Sequence, residues 1–90
     1  MKGFHTKVEF KGATFLVQSQ DTGAPGQYVE SLIYASGKLL TSRRTFYRHL
    51  LNNPNLRQLI QQLLDEQHNA IIEEIKQGKF ARFLETVEKE

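Results

Sequence analysis

The chain has 90 residues, of which 39% are hydrophobic and 24% charged, enough for one small soluble domain and too few for a second core. It contains no cysteine, which excludes disulfides, thiolate metal sites and cysteine nucleophiles together. The net charge of +2 is unevenly spread: residues 1–50 carry seven bases against three acids, and residues 51–90 five bases against seven acids.

No apolar run approaches the ~18 residues of a membrane span, and none near the start resembles a signal peptide. The expectation is a cytoplasmic protein without membrane contact. A single domain over 1–90 is predicted, divided where the hydrophobic period changes at Asn52-Asn53-Pro54. Before that point apolar residues alternate; after it they recur every third or fourth position.

Phe4, Thr6, Val8 and Phe10 alternate with His5, Lys7, Glu9 and Lys11, the pattern of a half-buried strand. Lys11-Gly12 predicts a tight turn, and Thr14 to Ser19 a second strand. A two-residue turn sets Phe10 opposite Ala13, Val8 opposite Phe15 and Thr6 opposite Val17, with all six on one face. Asp21 to Gly26 is rich in chain breakers and reads as a plain hairpin connection. It lacks the following helix that a phosphate loop needs.

Tyr28 to Tyr34 and Lys38 to Tyr47 predict a second hairpin about Ser36-Gly37. Simple pairing sets Glu30 opposite Arg43, Ile33 opposite Leu40 and Tyr34 opposite Leu39. It divides the strands into a core face (Val29, Ser31, Ile33, Leu40, Ser42, Phe46) and a second face (Tyr28, Glu30, Leu32, Tyr34, Leu39, Thr41, Arg43, Tyr47). The second face is apolar enough to suggest a partner.

Asn53 and Pro54 then form a helix start signal. Leu56, Leu59, Ile60, Leu63, Leu64, Ala70, Ile71 and Ile75 make a helical stripe. Gln67 falls near its middle, either as a hydrogen-bonded core glutamine or as a polar residue at a helix seam. The helix is expected over 53–77. At Gly78 the stripe fails, and Phe80, Phe83, Leu84 and Val87 point elsewhere. That predicts a C-cap and a short helical segment over 79–89, packed on its own domain or on a second subunit.

His5, His49 and His68 are dispersed; Asp65 and His68 read as part of a solvated helix surface and do not make a metal site. The acid pairs Asp65-Glu66 and Glu73-Glu74 read as a solvated face, and Ser31, Ser36 and Ser42 have no visible base or nucleophile elbow. No catalytic, metal or cofactor signature emerges, and no small-molecule substrate is implied. The expected fold is α+β: a four-stranded antiparallel sheet of two consecutive hairpins packed on one long helix.

Two functions remain open. The first is a non-catalytic, self-associating interaction module, a homodimer or the partner of another protein. It would use the face of Tyr28, Leu32, Tyr34 and Leu39 or the segment of Phe80, Phe83 and Leu84, with Gln67 at a seam. The second is single-stranded nucleic-acid binding through Lys38, Arg43, Arg44, Arg48 and Tyr47, since bases that track a backbone and aromatics that stack are what such a ligand requires. In element order alone, residues 4–77 resemble the Whirly-type single-stranded-DNA-binding domains, which implies an oligomer with nucleic acid across the strands and carries over no residues. In texture, Phe10-Lys11-Gly12, Val17 to Asp21 and Val29 to Tyr34 with Gly37 resemble small uncharacterised bacterial ββββα proteins, which implies a bacterial, cytoplasmic domain without an assigned activity.

Overall fold

Two turns of the same kind begin the architecture. Lys11 and Gly12 take φ of 50° and 83°, and Ser36 and Gly37 take 52° and 81°. Two successive positive φ values match the twist of the strands they join, and glycine at the second position adopts one without strain. In the computed structural model, which describes residues 3–83, these turns join β1 (Gly3–Phe10) to β2 (Ala13–Asp21) and β3 (Tyr28–Ala35) to β4 (Lys38–Phe46). The sheet is an antiparallel meander in the order β1-β2-β3-β4. Its first hairpin has the expected register, with Phe10 opposite Ala13, Val8 opposite Phe15 and Thr6 opposite Val17.

The second hairpin departs from simple pairing. Tyr34 does face Leu39, but Ile33 faces Thr41 and Glu30 faces Arg44. Leu40 is the extra residue of a β-bulge, and one inserted residue turns everything beyond it to the other face. Arg43, Thr45 and Tyr47 therefore lie on the covered side, while Ser42, Arg44 and Phe46 lie on the open one. This reverses the predicted faces of Ser42, Phe46, Thr41, Arg43 and Tyr47. Leu40 itself still packs against the core.

Asp21 to Gln27 is not a plain connection. A single helical turn, α1 (Gly23–Gly26), closes with the Gln27 N–H donating to the Gly23 carbonyl at 2.8 Å. Tyr47 anchors it from below, donating its hydroxyl to Asp21 Oδ1 at 2.6 Å. After β4 a short 3-10 turn (Arg48–Leu50) leads to α2 (Leu56–Lys76). The helix begins later than the sequence signal suggests. Asn53 Oδ1 accepts from the Asn55 N–H at 2.8 Å, so Asn53 and Pro54 shape an Asx-type turn leading into the helix, and Asn55 is the N-cap.

The far end of α2 stops as expected. Gly78 has φ 82°, its N–H donates to the Ile75 carbonyl at 3.0 Å, and that of Lys79 donates to the Glu74 carbonyl at 2.9 Å. This pair of bonds is a Schellman motif. A Cβ at Gly78 would also lie 3.2 Å from the Phe10 ring, close enough that the ring would have to shift. A short helical segment begins at residue 81.

α2 covers one face of the sheet, burying Leu64, Gln67, His68, Ile71 and Ile75. Ala70, assigned to the stripe by periodicity, is exposed, and His68, read as solvated, is buried. The core forms two apolar clusters. One joins Val8, Phe15, Val17, Ile33, Ile71, Ile75 and Phe80; the other centres on Val29, Tyr47 and Leu64. Phe80, and half-buried Phe83 beside it, return to their own domain.

Candidate functional site

The open face of the sheet is the surface most in need of explanation. Leu16, Tyr34 and Leu39 form one cross-strand row, and Gln18, Leu32 and Ser42 the next. Then come Gln20, Glu30 and Arg44, and finally Tyr28 beside Phe46. Leu39 and Phe46 are the least covered of the large hydrophobic side chains, at 55% and 47% exposure. Tyr28 and Phe46 pack with ring centroids 4.9 Å apart. Arg44 lies over the Tyr28 ring at 4.7 Å and meets Glu30 with Nε to Oε2 at 3.0 Å. The apolar residues cluster on the β3–β4 half, whereas the β1–β2 half presents His5, Lys7, Glu9, Thr14, Gln18 and Gln20.

The residues singled out for interaction divide among several places. Tyr28, Leu32, Tyr34 and Leu39 do share this face. Phe80 is buried and Phe83 half-buried in the core cluster, while Leu84 lies outside the described residues. Gln67 is buried beneath the sheet and bonded within its own chain. Two members of the open patch were missed by sequence pairing. Phe46 is turned outward by the bulge. Leu16 is the one apolar residue among His5, Lys7, Glu9, Thr14 and Gln18 on the open face of the first hairpin, and its place in that alternation is its signal.

The residues singled out for nucleic acid do not converge. Arg43 reaches under the sheet to Glu74 through two bonds of 2.9 and 2.8 Å. That contact raises the Arg43 pKa and holds the Glu74 carboxyl below its ordinary range. Arg44 is on the opposite face with Glu30. Arg48 donates Nε to Gln27 Oε1 at 3.0 Å. Tyr47 is buried, and its phenol is pushed up to about 12, first by burial and then by its bond to Asp21. Lys38 is exposed at the start of β4.

Beneath the sheet, a belt of buried polar side chains separates the two apolar clusters. Thr6 Oγ1 is 2.9 Å from His68 Nε2, and His68 Nδ1 is 2.6 Å from Ser19 Oγ. Ser19 Oγ is in turn 2.6 Å from Ser31 Oγ, and Ser31 accepts from Gln67 Nε2 at 2.9 Å. Among the described residues, no buried side-chain nitrogen or oxygen lacks a partner. Burial holds the His68 pKa below its ordinary value, and Asp65 opposes this in part. The Ser19–His68 contact resembles a nucleophile–base pair only in distance, because both side chains are 2% exposed. A groove of about 820 Å³ lies elsewhere, at the start of α2 against Asp21, with Leu56, Ile60 and Leu64 along it.

No protein-family model, curated protein or solved structure matches the chain. Among the described residues, no helix is long and apolar enough to cross a membrane.

Proposed function

We propose that the protein is a non-catalytic interaction module that self-associates face to face through the β3–β4 half of its open sheet. The observation that carries this reading is the apolar row of exposed Leu39 with half-buried Tyr34 and Leu16, together with exposed Phe46 and half-buried Tyr28, on a sheet face that no element of the chain covers among the described residues. Exposed single leucines are ordinary, but apolar side chains gathered at both ends of one uncovered sheet face, with the Glu30–Arg44 pair between them, suit an interaction surface.

Charge supports a second copy as the occupant. The charged residues on the open face of the strands are Lys7, Glu9, Glu30 and Arg44, which sum to zero. Two such faces meet without like-charge repulsion, and Glu30 already neutralises Arg44 at the centre of the patch. A two-fold interface uses the same patch on both partners and so needs such a self-compatible surface. Size sets the strength. Four strands ~4.8 Å apart and about eight residues long span a projected face of roughly 500 Å². The apolar half falls well short of the ~800 Å² per partner of a standard stable interface. The dimer is therefore weak and concentration-dependent.

Light scattering or sedimentation over a wide concentration range checks this. The native protein should shift from monomer toward dimer as concentration rises, and Phe46→Glu should remain monomeric while keeping its fold. A native chain that stays monomeric throughout would sink the reading. A stacked arginine beside two aromatics is the one observation favouring a single nucleic-acid strand. If a labelled single strand binds at low salt and Arg44→Ala abolishes that binding, nucleic acid replaces the second copy as the ligand of this face.

A further inference from the structure

The polar belt beneath the sheet has a direction, and it can be followed atom by atom. Gln67 Nε2 lies 3.3 Å from the Arg43 carbonyl, which can only accept, and Oε1 accepts from Thr45 Oγ1 at 2.5 Å. These two partners fix which end of the amide is which. Nε2 therefore also donates to Ser31 Oγ. Ser31 still has its own hydrogen to place, and Ser19 Oγ is 2.6 Å away. Ser19 then passes its hydrogen to His68 Nδ1. The ring proton is left on Nε2, where it donates to Thr6 Oγ1. Every link is satisfied by one protonation state, the neutral imidazole with hydrogen on Nε2.

A second ring proton has to enter at Nδ1, where Ser19 now donates. Ser19 would become the acceptor of both Nδ1–H and Ser31, and its own buried hydrogen would lose its partner. An orphaned buried donor and an uncompensated charge are both costly in a core. The surroundings give little compensation. From β1 the ring meets Thr6 and Phe4, the latter edge-on with centroids 4.3 Å apart; from β2 it meets Ser19. His5 and Lys7 of β1 and Gln18 of β2 flank these positions on the opposite face. Glu30 of β3 is on that face with Arg44, and Arg43 of β4 is engaged by Glu74. Asp65, one turn earlier on α2 and exposed, is the carboxylate that acts on the ring.

We infer that this belt is a proton-operated latch: α2 is held across the sheet only while His68 is neutral, and mild acid opens the helix–sheet interface at this row. Opening bares the two apolar clusters that the belt separates. The latch is on the covered side of the sheet and does not depend on self-association through the other.

The sign follows from linkage. An unfolded histidine takes up a proton below about pH 6.5, whereas His68 in the folded chain resists it to lower pH. Between those two values the unfolded chain binds one more proton, so the folding equilibrium constant falls about tenfold for each pH unit of acidification. The loss begins below about 6.5 and levels off once the folded chain is also protonated.

The test uses the whole chain with exposed His5 and His49 replaced (His5→Gln, His49→Gln), so that His68 is the sole imidazole. Imidazole nitrogen resonances should show hydrogen on Nε2 and a bare Nδ1 that stays unprotonated below about pH 6.5. Over the same interval, amide exchange along α2 should accelerate, an apolar dye should begin to bind, and chemical unfolding should show the tenfold-per-unit decline. His68→Gln, which retains a donor and an acceptor but cannot titrate there, should remove the decline. If that variant does not fold, the nitrogen titration and α2 exchange of the histidine-bearing chain decide alone. An imidazole that protonates near 6.5 while α2 stays protected would overturn the latch, as would an acid dependence that persists unchanged in His68→Gln.

Discussion

Beneath α2, Phe15, Val17, Val29 and Ile33 are closed to solvent, while on the reverse of the same strands Leu39 and Phe46 keep about half of their surface exposed. The two faces alternate residue by residue along β3, so strand propensity does not distinguish them. What separates them is closure. The covered face has a helix above it, two apolar clusters and a belt in which each polar atom has a partner. The open face has stacks of neighbours within the sheet and, among the described residues, the Arg44–Glu30 ion pair. Apolar content alone does not make a core; a second layer and complete polar satisfaction do.

The largest effect should come from emptying the covered side. Phe15→Ala removes a fully buried ring and should cost about 3–5 kcal/mol, enough to unfold much of a domain this small. Leu39→Ala, across the sheet, should change the monomer by less than about 0.5 kcal/mol. Denaturant midpoints for the pair test the contrast directly. If the two costs were equal, the distinction between core and surface face would be lost.

The belt comes next. Gln67→Leu keeps a similar volume but strips partners from Ser31, Thr45 and the Arg43 carbonyl. Leaving buried groups unsatisfied should cost about 2–3 kcal/mol, less than the lost ring and far more than any open-face change. A neutral or stabilised Gln67→Leu, read from the same unfolding curves, would mean that the belt contributes nothing to holding α2.

Much of this contrast was legible in the sequence, and the exceptions have physical causes. Alternation through Phe10 and from Ala13, with a glycine at the second turn position, sufficed for the first hairpin and its register. The second hairpin failed beyond Leu40 because Thr41-Ser42-Arg43-Arg44-Thr45 is polar at every position. No side chain there objects to either face, so hydrophobic pattern cannot reveal a bulge. Tyr47 and Phe46 are both aromatic; the bulge turns Tyr47 inward, where its hydroxyl meets Asp21, a partner 26 residues away. His68 was misplaced for a related reason. An imidazole reads as polar on a helical wheel, and only its partners on β1 and β2 make its burial tolerable. Gly78 was readable because a C-cap glycine acts through its own backbone.

The finest test of the two faces is a pair of neighbours, Arg43 and Arg44. They have the same side chain and opposite orientations. The Arg43–Glu74 bridge joins β4 to α2 with side chains 40% and 25% exposed, whereas Arg44–Glu30 joins adjacent strands with side chains 51% and 14% exposed. The first is bidentate, which fixes its geometry and strengthens it. Both are discounted by solvent, so double-mutant cycles should give about 1 kcal/mol for Arg43–Glu74 and no more than about 0.5 for Arg44–Glu30. Acid should weaken the first. The Glu74 carboxyl is held below its ordinary 4.5 by Arg43, so the bridge's stabilisation is present above that value and is lost as pH falls through the folded one. The Glu74 loss begins below about 4.5 and the His68 loss below about 6.5, so the His68 effect should set in first on acidification. Equal coupling energies for the two arginines would mean that the bulge at Leu40 turns the chain without changing what either face contributes.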